Sequence, residues 1–410
     1  MKSIFYYLFF AAITSLIAGE WVNGPQMEVP RAGASSVVLN DEIYVLGGKT
    51  NGNHVLNSVE VYNPQTKTWD TTRVVPFKKP RYNAAAVVQY GKIFLIGGRD
   101  NDSVLKSVER YDPVENKWEE VEELDKKREG HSAHVLRDKI FVLGGQEEIY
   151  DLVSDIEWYN WQDDDWEESA FEMGSPRSAF FSAAWWDTVY IFGGFQYGRI
   201  NSCYKSAPDS GDHTWESCGL LSEPRGYGAT AVFDSLVYLF GGETADGKTT
   251  KVEVYNLFSG EIYEGADMPM PHSGMTAAVL GDEIFVLGGF EGPENRIVKH
   301  NHVYRPLATG LPGEDNPAVS PDVFSMHPAY PNPFNGQVSI RVDVSRSGNF
   351  SVDVFDYRGR KTATLHNGTL GAGSHTFRWQ AADLSLPSGV YFVTIQNGNM
   401  QQTQKLLYVK

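Results

Sequence analysis

Cysteine is nearly absent: the 410 residues contain two, Cys203 and Cys218. That excludes a zinc ribbon or a disulfide-dense scaffold and leaves room for one bridge. Positive charge is also short, with 35 Lys and Arg against 52 Asp and Glu and a formal net charge of −17. A nucleic-acid partner held by phosphate neutralisation is therefore disfavoured. After residue 18 no apolar run is long enough to cross a bilayer as a helix. Wholesale disorder and a collagen-like fibre are excluded by 41% hydrophobic, 13% aromatic and 21% charged residues. Turn formers are abundant instead, with 40 Gly and 20 Pro.

The one long apolar run, Ile4 to Ala18, follows Lys2 and gives way to Gly19 and Glu20. Its length and flanks read as a secretory signal peptide over residues 1–19. The expected location is outside the cell or on its surface.

The middle of the chain is repetitive. Diglycines begin at Gly47, Gly97, Gly144, Gly193, Gly241 and Gly288, spaced by 50, 47, 49, 48 and 47 residues. Each ends a short β-branched and aromatic run such as Ile43 to Leu46 or Val237 to Phe240, the signature of a buried strand. Sixteen residues before each first glycine stand Arg31, Arg81, Arg128, Arg177 and Arg225, with His272 in the sixth repeat. A Ser-Val-Glu-x-Tyr strand follows the diglycine, best preserved at Ser58–Tyr62 and Ser107–Tyr111 and weakest at Tyr204 and Tyr304. An aromatic marks a fourth strand: Trp69, Trp118, Trp166, Trp215 and, in the fifth repeat, Tyr263. Four antiparallel strands in about 48 residues describe a propeller blade. The sixth repeat lacks its tryptophan strand, and Trp21 stands ten residues before Arg31 as Trp118 does before Arg128. The segment around Glu20 to Asn23 is therefore expected to close the ring as the outer strand of the last blade.

These words resemble Kelch repeats, over residues 20–305. The expected fold is all-β: a six-bladed Kelch propeller at 20–305, a Pro-rich linker at 306–325 and a small immunoglobulin-like β-sandwich at 326–410 whose apolar residues alternate, as in Val338-Ile340-Val342-Val344. Tyr330-Pro331-Asn332-Pro333-Phe334-Asn335, Gly371-Ala372-Gly373-Ser374-His375, Trp379 and Ser388-Gly389-Val390-Tyr391 resemble the C-terminal sorting domain of type IX secretion substrates. That resemblance implies a bacterial protein whose 326–410 segment engages outer-membrane secretion machinery.

Residues common to every blade read as scaffold, so function is expected where equivalent positions differ. Positions after the Arg are Ala32, Tyr82, Glu129, Ser178, Gly226 and Ser273; those after the diglycine are Lys49, Arg99, Gln146, Phe195, Glu243 and Phe290. In ligand-binding Kelch propellers the equivalent places line the pocket mouth. The resemblance therefore assigns ligand binding to Lys49, Tyr82, Arg99, Glu129, Gln146, Ser178, Phe195, Glu243 and Phe290. Lys49 and Arg99 would take a carboxylate and Phe195 or Phe290 would stack, which suits an extracellular peptide or glycan.

No catalytic residue, metal or cofactor is assigned, and the protein is expected to be a monomer. His131 and His134, or His300 and His302 on one strand face, offer two imidazoles without a third ligand nearby in the sequence. Asp163-Asp164-Asp165 reads as an acidic hairpin tip. The alternative reading is a mutarotase-like Kelch enzyme acting on an acidic sugar, with Arg99, Glu129 and Glu243 supplying charge and acid–base groups. If a hairpin turns about Asp209 to Asp212, Cys203 falls opposite Cys218 and the pair forms a disulfide, which fits an oxidising compartment.

Overall fold

Repeat by repeat, the short apolar runs become the second strands of four-stranded antiparallel sheets. The structure, a computed structural model, describes residues 16–306 and 324–408 apart from 18, 137–138, 186, 209–213, 234 and 258 in the first part and 328, 330–331, 333, 345–346, 357–359, 372, 382–385 and 398–399 in the second. Contacts divide the chain into two units at residues 310 and 311. The apolar run Ile4 to Ala18 lies outside the described residues except for Leu16–Ile17, which pair in parallel with the edge of the fifth blade.

Blade one consists of Ser35–Leu39, Glu42–Leu46, Val59–Asn63 and Thr68–Asp70, hydrogen-bonded in that order. Blades two to five repeat this plan from Ala85, Ser132, Phe181 and Ala229. The sixth blade takes Thr276–Leu280, Glu283–Leu287 and Asn301–Pro306 from the end of the ring and Gly19–Asn23 from its start. Trp21 stands opposite Tyr304, so the two ends of the ring share one sheet. Gly19 pairs with Pro306, which extends the closing sheet one residue beyond 20–305 at each end. The second strand is buried along its whole length in blade one, because neighbouring blades cover both faces.

Adjacent blades are joined by tryptophan. The indole nitrogens of Trp69, Trp118, Trp166 and Trp215 donate to Pro25, Val75, Glu122 and Glu172 carbonyls at 2.8 to 3.0 Å, and Trp21 donates to Ala266 at 2.9 Å. Blade five departs from its expected register. Ile262, not Tyr263, stands opposite Tyr255 and fills the tryptophan position, because the aromatic is displaced by one residue.

Blade four departs twice. Ile191 pairs with Tyr204 as Val45 pairs with Glu60, so Tyr204 occupies the glutamate position and Ser206 the tyrosine position. Cys203 faces Gly219 rather than Cys218, since a bulge lies between the Ser217 and Gly219 pairings and makes Cys218 the extra residue. The Cys203–Cys218 disulfide is present across that bulge, and the turn at 209–213 lies outside the described residues.

The second unit is a sandwich of two sheets. Phe324–Met326, Gln337–Val344 and Gly373–Gln380 form one; Lys361–Leu370, Gly348–Asp356, Gly389–Asn397 and Met400–Tyr408 form the other. Val338, Ile340, Val352, Val354, Trp379 and Ile395 meet in its core. Phe324–Met326 is a strand, so the segment assigned to the linker ends earlier than 325. Residues 307–323 and Tyr330, Pro331 and Pro333 lie outside the described residues.

Candidate functional site

The recurring Arg and Glu are scaffold. Arg31–Glu60, Arg81–Glu109, Arg128–Glu157 and Arg225–Glu253 are ion pairs with side chains almost wholly excluded from water. Arg31 also donates to the Gly47 and Ser58 carbonyls at 2.7 and 2.9 Å, and Glu60 accepts the Glu28 and Val29 amides at 2.8 and 3.0 Å. Each pair therefore ties the entry loop of its blade to the second and third strands through charge-assisted hydrogen bonds. In blade four Arg177 lies over the Tyr204 ring at 5.3 Å instead, and burial pushes its pKa down to about 10.

The second glycine of each pair donates its amide to the carbonyl of the next blade's Arg or His, from Gly48 to Arg81 around to Gly289 and Arg31. At Gly47 a Cβ would sit 2.4 Å from the Arg81 carbonyl oxygen, which excludes any side chain there. A second closed ring lies above the first. Asn83 donates to Gly33, Gly130 to Asn83, Ala179 to Gly130, Tyr227 to Ala179, Gly274 to Tyr227 and Gly33 to Gly274, all backbone bonds of 2.6 to 3.0 Å. All six residues have φ between 50° and 65°. In Ala179 and Tyr227 that left-handed backbone costs about 1 kcal/mol or more each. Each of these residues lies two positions after the repeat's Arg or His.

This collar sets out the candidate site. In every blade the residue after the Arg bridges the residue after the diglycine: Ala32 to Lys49, Tyr82 to Arg99, Glu129 to Gln146, Ser178 to Phe195, Gly226 to Glu243 and Ser273 to Phe290. The two rows of positions thus surround one face of the ring. Among the described residues, only some of these positions line a common cavity. A cavity of about 510 Å³ lies against the collar at Gly33, Asn83, Tyr227 and Gly274 and is walled by Lys49, Asn51, Asn53, Tyr82, Glu243, Phe290, Glu294 and Asn295. Lys49, Tyr82, Glu243 and Phe290 are therefore brought together, and Arg99, Glu129, Gln146, Ser178 and Phe195 fall outside.

Electrostatics separates the two cations further. Arg99 is bound by Glu129 at 3.0 Å, which also accepts from Asn83 at 3.1 Å, whereas Lys49 has no carboxylate partner among the described residues and lies 5.5 Å from the Tyr82 ring centroid. Glu243 is paired with Arg199 at 2.9 Å, and Gln146 accepts from Ser178 at 3.2 Å. Phe195 packs on Tyr227 and under Arg199. Burial, with the charges of Glu129 and Glu243, pushes the Tyr227 hydroxyl up to about 12, so it remains a neutral donor. Sequence reasoning missed Tyr227, Asn51, Asn53 and Glu294. The collar had a faint signal, since Gly or Asn fills its position in four of the six repeats.

The acid–base reading loses its free groups: both carboxylates it invokes are held in ion pairs. Asp163 and Asp164 accept hydrogen bonds from Asn160 and Tyr159, and Asp165 from the Trp166 amide, as parts of a hairpin turn. The two-ligand reading of His300 and His302 needs correction. His272, remote in sequence, joins them, and one ligand atom from each ring lies within 4.8 Å of the others.

The comparisons agree with this architecture. A profile for the KLHDC2/KLHL20/DRC7 Kelch-repeats domain matches residues 13–145, one for the Kelch motif matches 127–170, and one for the secretion system C-terminal sorting domain matches 328–410. Kelch-like protein terF of Aspergillus terreus is 29% identical over 305 residues, covering 67% of this chain and 65% of that protein. Kelch-like protein 36 of Rattus norvegicus is 24% identical, covering 63% of this chain and 44% of its own length. The chain therefore spans about half to two thirds of these relatives. The solved structure of YjhT is similar in fold, with a TM-score of 0.60 and 14% identity over 68% of this chain and 95% of that one. None of these matches supports the mutarotase alternative. The chain joins Kelch repeats, closed into a six-bladed β-propeller, to a C-terminal sorting domain that marks it for export.

Proposed function

We propose that the propeller is an extracellular binding module whose ligand, a peptide or a glycan bearing a carboxylate, rests on the collar between blades one, five and six. The observation that carries this reading is the cavity with the Lys49 ammonium, unpaired among the described residues, beside Tyr82 and Phe290. A carboxylate there meets a cation that is free to pair, and an apolar ring or sugar face can lie on Phe290 while Asn51 and Asn53 offer amides. Arg99, held by Glu129, lies outside the cavity and is not a contact for the ligand. On this reading the signal peptide at 1–19 starts export and the segment at 326–410 completes it through the type IX outer-membrane machinery.

The test is capture on peptide and glycan arrays by the full chain, its Lys49→Glu variant and its Phe290→Ala variant. Both substitutions are expected to reduce capture of the same carboxylate-bearing ligands at least about tenfold, Lys49→Glu by loss of a charge-assisted contact and Phe290→Ala by loss of the stacking face, with thermal unfolding nearly unchanged. Undiminished capture by both variants places the site elsewhere.

A further inference from the structure

Blade six breaks the repeat at three positions that meet in space. His272 stands where the other blades carry Arg, and His302 pairs with Val286 as Glu60 pairs with Val45. His300 takes the place of Ser58, since its carbonyl accepts from Gly288 as that of Ser58 accepts from Gly47. An Arg–Glu–Ser triad that joins entry loop, second strand and third strand has thus been replaced as a unit by three imidazoles.

The replacement leaves polar atoms without partners. His272 is 0% and His302 5% exposed, and His300 is half-buried. Among the described residues, both ring nitrogens of His272 and His302 and Nδ1 of His300 are buried without a hydrogen-bond partner. Each such group left unsatisfied costs about 1–3 kcal/mol, which a purely apolar filling of the same space would avoid. The ring centroids are 5.4 to 5.7 Å apart. Glu291 stands directly across the ladder from His272 and accepts from Arg296, so a carboxylate is available beside the cluster to orient an imidazole N–H.

We propose that His272, His300 and His302 bind a single borderline transition-metal ion, Zn²⁺ or a neighbouring divalent cation, within the blade that joins the two ends of the ring. Imidazole is the ligand this class of metal prefers, and three ligands leave one position of a tetrahedron open. Zn–N bonds of about 2.0–2.1 Å require the rings to rotate inwards, a side-chain movement. The ion takes over the structural task of the missing Arg–Glu pair, linking the His272 segment to the Asn301–Pro306 strand, against which Gly19–Asn23 closes the ring. None of the three histidines lines the proposed ligand cavity.

The experiment uses the full chain stripped with a chelator, titrated with Zn²⁺ by calorimetry, followed by thermal unfolding and by the visible d–d bands of Co²⁺. A comparison variant carries His272→Arg, His300→Ser and His302→Glu, the residues of blades one and two. The wild-type chain is expected to take up one equivalent, to unfold about 5 °C higher with free Zn²⁺ at about 100 times Kd, and to give Co²⁺ bands of tetrahedral type. The triple variant is expected to lose all three responses. If that variant does not fold, His300→Ser alone, at the half-buried position, is expected to weaken Zn²⁺ binding at least tenfold. Absence of saturable binding of Zn²⁺, Ni²⁺ and Cu²⁺ by the wild-type chain, or equal binding by wild type and the folded variant, overturns the proposal.

Discussion

At the scale of single residues, the same buried charge pair is repeated because it satisfies a junction that recurs. In blade two Glu109 accepts the Lys78 and Lys79 amides and pairs with Arg81, with both side chains out of solvent. Removing one partner strands the other charge, so Glu109→Ala is expected to lower the unfolding free energy by about 3–5 kcal/mol. Arg81→Met with Glu109→Met should cost markedly less than the two single changes added together, as a urea double-mutant cycle would show. His131 supplies a pH test. Burial, then the Arg128 charge, lowers its pKa to about 3. A group depressed in the folded state binds more protons when unfolded, so stability is lost as pH falls below the ordinary histidine value of about 6.5 towards 3. His131→Phe, which copies Phe180 at the equivalent place in blade four, is expected to remove about 2 kcal/mol of the loss between pH 7 and pH 5. Urea unfolding of both chains at the two pH values measures the difference; an unchanged pH slope contradicts it.

At the scale of the strand and blade, what could be read from sequence was whatever repeats. Six diglycines and six apolar runs define the blades because their backbone and packing demands are identical in each. Register within an irregular blade could not be read in this way: Tyr204 matches the tyrosine of the repeat by type but stands at the glutamate position, and one bulged residue shifts Cys218 out of line with Cys203. The site was legible as two rows of positions and illegible as a cavity. Which rows share a pocket depends on loops between the diglycine and the third strand, whose lengths follow no repeat. His272 was missed as a neighbour of His300 and His302 because it lies 28 positions before His300. The disulfide also acts at this scale. It closes a hairpin over a sequence separation of 15, and a loop of that size is stabilised by about 3 kcal/mol in the chain-entropy account. Cys203→Ser with Cys218→Ser should therefore lower the calorimetric unfolding temperature, and a thiol titration of the denatured, unreduced chain should find no free sulfhydryl.

At the scale of the whole ring, closure rests on joints at different radii. Near the axis, Gly33 donates to Gly274, Gly289 donates to Arg31, and Ser36 meets Thr276. At the rim, Gly19–Asn23 adds a strand to Asn301–Pro306, and the Trp21 ring packs on Phe240 and Tyr304 while its N–H reaches Ala266 in blade five. A chain beginning at Pro25 keeps the inner joints and loses the rim. It should retain its β-sheet circular dichroism, because the inner rings are intact, yet unfold at a lower temperature and associate at high concentration through the uncovered edge of Asn301–Pro306. A synthetic Gly19–Gly24 peptide added in trans should restore part of the stability by supplying the missing strand, and the same peptide with Trp21→Ala should not. In the full chain Trp21→Ala is expected to cost about 3 kcal/mol, in the range for losing a packed indole. If the shortened chain unfolds at the temperature of the full one, the inner joints alone close the ring and the shared sheet is dispensable.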